Sequence, residues 1–325
     1  MQVRVLFWAH LKTLAFNAGV FLYPTYLCPM AKKSPTPQTP VLKIPAWMRA
    51  FAALTQAIST KLAARLAWSW FLTPYPFPIP KREIPWEEKF GTPTLTEHPT
   101  GQTYPIYTLG SGTKSIVLVH GWAGRFTQFH ALLAHLEATI PDLYTQYTLI
   151  GFNAPAHRGA SGKRTMMPHF AQCLEQIATT HGPIHTVIAH SLGCNATLFA
   201  AQEYNVPIEK QILYAPPGLI SAMAHLFCDI MGFNSKVKQG LVNYVKTIHG
   251  DNFDDYSAPA LAKTNTVPTL VFHDLNDTDT PIELGRMVGH HIQNGTYIET
   301  EGLGHRRILR DPQVLKASTD FLLAR

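Results

Sequence analysis

The chain has 325 residues, of which 46% are hydrophobic and 15% are charged. A composition this apolar can bury a sizeable core, which excludes a wholly disordered chain. The four cysteines lie far apart and form no Cys-x-x-Cys pair. They therefore predict buried thiols and argue against both a disulfide scaffold and a zinc site. These residues are Cys28, Cys173, Cys194 and Cys228.

The net charge of +6 is concentrated near the N-terminus. Residues 1–82 hold ten Lys or Arg and no Asp or Glu, whereas residues 91–325 hold 16 basic and 18 acidic residues. A basic arm of this kind can contact anionic lipid or nucleic acid. No nucleic-acid-binding motif accompanies it, so we expect no nucleic-acid partner and favour peripheral membrane contact through the N-terminal arm.

Residues 1–30 are apolar and aromatic, but Arg4, His10 and Lys12 interrupt them. No uninterrupted stretch reaches the roughly 18–20 apolar residues of a membrane-spanning helix. Three interpretations stay open: a genuine segment, a targeting signal, or sequence upstream of a start at Met30. We expect a cytoplasmic location, with membrane association as the alternative. Prolines among polar residues predict a linker over residues 31–45.

The spacing of apolar residues predicts one helix over residues 46–72, with basic residues beside its apolar stripe. Such a helix can lie on a membrane or pack against the rest of the chain, and packing is the favoured interpretation. Five prolines then predict an extended connector over residues 74–86, with neither helix nor central strand. The stripe consists of Met48, Phe51, Leu54, Ile58, Leu62 and Leu66.

Predicted strands and helices alternate over residues 91–325, which is typical of an α/β fold with a mostly parallel sheet and helices on both faces. We therefore divide the chain into a basic N-terminal extension (1–90) and one α/β domain (91–325). Short apolar helices over 216–263 predict a helical insert, either a lid over a pocket or another packed layer. Expected antiparallel edge strands at 92–98 and 103–109 precede parallel strands at 115–120, 147–152, 185–190, 211–214, 269–273 and 295–300.

A serine lies at the junction between a predicted strand and a predicted helix, in the sequence Ala189-His190-Ser191-Leu192-Gly193. A sharp turn there holds the serine hydroxyl out of the strand and needs small residues two before and two after it. Gly193 meets this need, and Ala189 replaces the usual first glycine. The N–H of Leu192 and the start of the helix can stabilise an oxyanion beside Ser191.

A serine hydroxyl needs a general base and a group that orients that base. Two later strands end in turns that carry both residue types: one strand leads into Asp274, Asp277 and Asp279, and the last leads into His305. Because the carboxyl ends of parallel strands form sites, these side chains are expected to meet near Ser191. Sequence position alone does not decide which of the three aspartates orients the histidine.

Four segments in order resemble the α/β-hydrolase superfamily over residues 91–325. They are Val117–Trp122, Ala189–Gly193, His273–Pro281 and Gly302–His305. The resemblance implies Asp277 as the acid of a Ser191–His305–Asp277 triad, with Asp274 and Asp279 as near alternatives. It also implies an oxyanion hole formed by the N–H groups of Trp122 and Leu192, with the Trp122 indole lining the pocket.

One segment departs from the family pattern. Where members often carry Asp-x-Pro-Gly-x-Gly-x-Ser, this chain has Asn153-Ala154-Pro155-Ala156-His157-Arg158-Gly159-Ala160. That run is mainly structural, so the departure affects the expected loop geometry more than the chemistry. His157 and Arg158 are predicted to lie on the surface, with substrate contact as the less favoured alternative.

These features predict a serine hydrolase that cleaves a carboxylic ester or thioester through an acyl-enzyme. Alternatives are an acyltransferase that uses the same triad and a catalytically silent binding protein on this fold. The expected partner is a small hydrophobic ester or acyl substrate. No metal-ligand spacing, phosphate loop or dinucleotide fingerprint occurs in a credible context, so we infer no cofactor.

Overall fold

A computed structural model describes residues 44–250 and 253–324, and the predictions for residues 1–43, including Cys28, lie outside this part. The strands are β1 (Thr94–Glu97), β2 (Thr103–Leu109), β3 (Lys114–Val119), β4 (Tyr147–Phe152), β5 (Ile184–His190), β6 (Ile208–Tyr214), β7 (Thr269–Asp274) and β8 (Gly295–Thr300). The α-helices are α1 (Ala46–Ile58), α2 (Thr60–Phe71), α3 (Ile84–Phe90), α4 (His130–Thr139), α5 (Leu143–Gln146), α6 (Met167–His181), α7 (Leu192–Glu203), α8 (Ile220–Met231), α9 (Ser235–His249), α10 (Ala258–Ala262), α11 (Ile282–His291), α12 (Gly304–Arg307) and α13 (Pro312–Leu323). Short 3₁₀ turns occupy Phe126–Phe129, Phe253–Tyr256 and Ile308–Arg310.

The eight strands form one sheet in the order β1-β2-β4-β3-β5-β6-β7-β8. β1 and β2 form the antiparallel end of the sheet, with β1 at its edge and β2 between β1 and β4. Every pairing from β4 to β8 is parallel. The predicted fold class and the predicted edge strands are therefore confirmed. Because β3 to β8 run the same way, the turns that follow β3, β5, β7 and β8 all emerge at one edge of the sheet.

The central strands are apolar along their whole length because helices cover both faces of the sheet. β5 is buried at every position. One core lies between the sheet and α6, α7, α10 and α11, and a second lies between the sheet and α4 and α13. Cys173 and Cys194 are buried in the first core, as predicted for thiols.

A third core joins the N-terminal helices to the insert. α1 and α2 contribute Met48 and the alanines at 52, 63, 64 and 67, while α8 and α9 contribute Cys228, Met231, Val237 and Leu241 among others. α2 approaches α9 closely, since a Cβ at Gly240 would lie 3.4 Å from the Ala64 Cβ. The four helices form one packed layer, which we call the helical cap.

The prediction of a single helix over residues 46–72 is wrong. Ser59 is extended, with φ −160° and ψ 123°, and separates α1 from α2. Its hydroxyl accepts a hydrogen bond from the Leu62 N–H at 3.3 Å and caps the second helix. Serine is common at this position because its side-chain oxygen accepts a hydrogen bond from an N–H of the first turn, which has no acceptor within the helix.

The predicted apolar stripe is also not the buried face of these helices. Met48 is buried, but Phe51, Leu54, Ile58 and Leu62 are exposed. The buried residues of the two helices are instead mainly small ones, with alanines at 52, 63, 64 and 67. Among the described residues, none of the helices combines the length and apolar character needed to cross a bilayer.

The extended connector is confirmed up to residue 80 but is wrong for its end. α3 begins at Ile84 and carries Pro85 in its first turn. Proline is tolerated there because the first N–H groups of a helix have no intrahelical acceptor.

Candidate active site

Ser191 occupies a strained turn between β5 and α7. Its φ of 52° and ψ of −123° are rare for a residue with a side chain. The Ser191 N–H donates to the Tyr214 carbonyl at 2.9 Å, which holds the turn against β6. A Cβ at Gly193 would lie 2.4 Å from the Val119 carbonyl oxygen, so glycine is required there. Ala189 is fully buried and fits, which explains why the first glycine can be replaced.

His305 is paired with Asp277. The Nδ1–H of His305 donates to Asp277 Oδ2 at 2.7 Å, and the Asp277 side chain is fully buried. The other oxygen of Asp277 accepts the N–H groups of Asp279 and Thr280 at 2.9 and 2.8 Å. Burial alone would raise the pKa of Asp277, but the bond from His305 and these neighbours lower it below its ordinary value.

Asp274, the last residue of β7, lies three positions before Asp277 and makes different contacts. Its Oδ1 accepts the N–H groups of Asn276 and Gly304, at 2.9 and 2.7 Å. Its Oδ2 accepts the Thr300 hydroxyl at 2.7 Å and the Leu303 N–H at 3.0 Å. Asp274 therefore fixes the turn that carries His305. Position in the sequence could not distinguish it from Asp277.

Asp279 makes no contact with His305 through its side chain and is partly exposed. Its backbone N–H, not its carboxylate, contributes by binding Asp277. Of the three aspartates in the turn, the structure brings only Asp277 to the histidine.

Two further histidines, not identified from the sequence, surround this pair. His190 Nε2–H donates to the His305 carbonyl at 2.9 Å, and the two rings lie 4.7 Å apart. Burial, and next the nearby His305, lower the pKa of His190 to about 3, so it stays neutral. His273 Nε2–H donates to the Thr280 carbonyl at 2.9 Å. Because His190 directly precedes Ser191, its hydrogen bond links the backbone of His305 to the serine turn.

The segment after β3 forms a loop beside Ser191. A Cβ at Gly121 would lie 3.0 Å from the Ser191 Cβ, which shows how closely the two turns approach. The N–H of Trp122 meets no acceptor among the described residues. The N–H of Leu192 is the first of α7 and likewise has none. These are the two groups that the resemblance assigns to an oxyanion hole. The Trp122 side chain is 37% exposed and lies edge-on to the His157 ring.

His157 is buried, so its predicted surface position is wrong. Its Nε2 accepts the Ala123 N–H at 3.0 Å, and its Nδ1–H donates to the Pro155 carbonyl at 3.1 Å. Burial lowers its pKa to about 4 and keeps it neutral. His157 therefore holds the loop that carries Trp122 through its bond to Ala123. Ala123 has a φ of 54°, which is uncommon for a residue with a side chain. Sequence reasoning missed this because the partners are 34 positions apart.

The remainder of the departing segment is structural, as predicted. Asn153 Oδ1 accepts the Phe126 N–H, and its Nδ2 donates to the Arg158 carbonyl, both at 3.0 Å. Arg158 lies on the surface, in agreement with the prediction, and pairs with Glu87 at 3.0 Å.

A buried ion pair connects the N-terminal connector to the same loop. Arg125 Nε lies 2.7 Å from Glu83 Oε2, and both side chains are nearly inaccessible to solvent. The Thr127 hydroxyl donates to the same oxygen at 3.0 Å. A cavity of about 310 Å³ lies beside this junction, lined by Pro74, Pro76, Phe77, His157 and neighbouring loop residues. Ser191 does not line it.

The comparisons with known proteins agree with this architecture. A family model described as the alpha/beta hydrolase fold matches residues 114–246. No curated protein matches the chain in sequence. The predicted resemblance to the α/β-hydrolase superfamily is confirmed, and the chain has the α/β-hydrolase fold.

Solved structures resemble this fold at low sequence identity. A putative lipase from Acinetobacter baumannii AYE has 19% identity and a TM-score of 0.54, over 76% of this chain and 97% of that chain. An esterase from Exiguobacterium antarcticum has 14% identity and a TM-score of 0.54, over 72% and 100%. An esterase from Rhodococcus sp. ECU1013 has 15% identity and a TM-score of 0.53, over 71% and 98%. At these identities the likeness concerns the fold.

Proposed function

We propose that this protein is a serine hydrolase that cleaves carboxylic esters or thioesters, with Ser191, His305 and Asp277 as its triad. The observation that carries the proposal is the buried 2.7 Å hydrogen bond between His305 and Asp277. His190, the residue before Ser191, donates to the His305 carbonyl, and this contact supports a position of His305 near the strained turn of Ser191. A strained serine and an oriented histidine are the two components that acyl transfer requires.

In the proposed reaction, His305 Nε2 takes the proton of the Ser191 hydroxyl as the Ser191 oxygen attacks the carbonyl carbon. The N–H groups of Trp122 and Leu192 stabilise the negative oxygen of the tetrahedral intermediate. When the intermediate collapses, the alcohol or thiol leaves with the proton from His305. His305 then deprotonates a water molecule that attacks the acyl-enzyme carbonyl. It returns this proton to the Ser191 oxygen as the bond between Ser191 and the acyl group breaks and the acid leaves. Asp277 stabilises the imidazolium that forms in each half-reaction.

We propose that the acyl group is small and hydrophobic. The partly exposed indole of Trp122, in the loop beside Ser191, supports an apolar binding surface near the site. The similar structures include proteins described as a lipase and as esterases, which fits the same class of bond.

A series of p-nitrophenyl esters of increasing acyl length tests the proposal. The wild-type protein is expected to release p-nitrophenol fastest from the shorter esters, and Ser191→Ala is expected to lower kcat by several orders of magnitude. Asp279→Asn is the matched control, because its side chain does not contact His305. Retention of full activity by Ser191→Ala would contradict the proposal.

A further inference from the structure

The outer side of α1 presents a row of largely exposed apolar side chains; Phe51 among them also contacts the Trp70 ring, at 6.1 Å between ring centroids. Trp47, Phe51, Leu54 and Ile58 follow at steps of four, three and four residues, so they form one stripe along the helix. Leu62, at the start of α2, is also exposed. These five side chains, which we call the outer face, are between 48% and 70% exposed. A contiguous apolar surface of this kind marks an interaction site.

The packing of the cap fixes the direction of the outer face. Met48, Ala52 and Thr55 are buried; each follows a stripe residue by one position and so lies about 100° further round α1. The Gln56 amide donates to the Gly232 carbonyl at 3.1 Å and accepts the Asn234 N–H at 2.9 Å. α1 is therefore held against the turn between α8 and α9, and it cannot turn its apolar stripe inwards without breaking these bonds.

The helical cap is strongly basic. Its four helices hold six Lys or Arg and a single acid, Asp229. Lys238 pairs with Asp229, and the other five cations form no ion pair among the described residues. Residues 1–43, which precede α1, add five Lys or Arg and no acid. The basic residues of the cap are Arg49, Lys61, Arg65, Lys236, Lys238 and Lys246.

We propose that the outer face docks on an anionic lipid bilayer. Its aromatic and aliphatic side chains would enter the boundary between headgroups and acyl chains, while Lys61 and Arg65, which flank Leu62, would meet lipid phosphates. The charge favours lipid over a second copy of this chain, because pairing two caps would bring like charges together. The proposal does not depend on the chemistry of Ser191, since it concerns binding alone.

Vesicle cosedimentation of the full chain tests this docking. Vesicles of phosphatidylcholine mixed with phosphatidylglycerol are expected to bind the wild-type protein, and phosphatidylcholine vesicles to bind it less. The double variant Leu54→Gln/Ile58→Gln should bind at least about tenfold more weakly. The matched control is Leu95→Gln/Leu323→Gln, which removes two exposed apolar side chains far along the chain from the cap and should bind like wild type. Thermal unfolding verifies that both variants are folded.

A second readout locates the contact. Brominated lipids quench tryptophan fluorescence on contact, so wild-type emission should fall, and Trp47→Phe should remove most of that quenching whereas Trp86→Phe should not. Three results would overturn the proposal: absence of wild-type binding to anionic vesicles, wild-type-like binding by Leu54→Gln/Ile58→Gln, or a change of oligomeric state in that variant, which would identify a second copy as the occupant.

Discussion

Asp277 Oδ2 and His305 Nδ1 lie 2.7 Å apart, in segments that follow two neighbouring parallel strands, β7 and β8. The two residues are 28 positions apart in the sequence. The sheet brings them together by aligning the ends of the two strands. Ser191 follows β5 at the same edge of the sheet, so the order of the parallel strands brings all three segments to one side.

Replacement of Asp277, the proposed triad acid, tests whether it orients His305 for catalysis. Asp277→Asn should lower kcat about 10⁴-fold, because the amide cannot stabilise the imidazolium or select the same His305 tautomer. Steady-state ester hydrolysis measures this loss. Asp279→Asn, a change of the same kind two residues away, should remain near wild type. Equal activity of the two variants would show that Asp277 has no such role.

Loss of Asp274 should act on the turn that carries His305. Asp274→Asn replaces an oxygen that accepts backbone N–H groups with an amide that can donate, and it leaves a buried donor without a partner. We expect a destabilisation of about 2–4 kcal/mol together with a lower kcat. Urea unfolding and ester hydrolysis measure the two effects. A variant as stable as wild type would refute the bracing role of Asp274.

The buried ion pair between Glu83 and Arg125 should contribute more to the free energy of unfolding than the ion pairs on the surface. Glu83→Gln leaves the Arg125 charge buried without its partner, so unfolding free energy should fall by about 3–5 kcal/mol. Glu87→Gln, which breaks the exposed pair with Arg158, should cost no more than about 1 kcal/mol. Urea unfolding of the two variants compares them directly, and equal losses would contradict this account.

Stability should decrease in mild acid because buried histidines are held neutral. His157 has a pKa of about 4 in the folded chain, against an ordinary value of 6.5. Between these values the unfolded state binds more protons, so falling pH favours unfolding. The contribution of His157 is therefore complete above about pH 6.5 and is lost towards about pH 4.

His157→Gln isolates this contribution. The glutamine amide can still accept the Ala123 N–H and donate to the Pro155 carbonyl, but it does not titrate. Between about pH 7 and about pH 5, the variant should lose about 2 kcal/mol less unfolding free energy than wild type. Urea unfolding at the two pH values measures the difference. His190, with its pKa near 3, should maintain a residual decline in both proteins. Identical losses would show that His157 is not the titrating group.

The sheet and the serine turn could be predicted because they rest on local patterns. β4, β8 and α13 begin and end where apolar runs and turn residues indicate. Ser191 could be recognised because the sharp turn requires a small residue two positions later, and the sequence has Gly193 there. These signals lie within a few neighbouring residues, and tertiary contacts reinforce them.

Other features depend on contacts that a sequence pattern does not contain. Both sides of α1 are apolar, and periodicity cannot tell that the alanine side packs closely while Phe51 and Ile58 remain outside. The burial of His157 depends on a distant loop. Asp274 and Asp277 share one turn, and only the three-dimensional path of the chain after β8 determines which of them meets His305.

The most direct test of the central claim is covalent labelling of the wild-type protein with a fluorophosphonate, followed by mass spectrometry of its peptides. Such a probe reacts with a serine that an adjacent base activates. The account predicts one phosphonylated residue, Ser191, and loss of labelling in His305→Ala. Labelling at another residue, or an unlabelled Ser191 in folded protein, would contradict it.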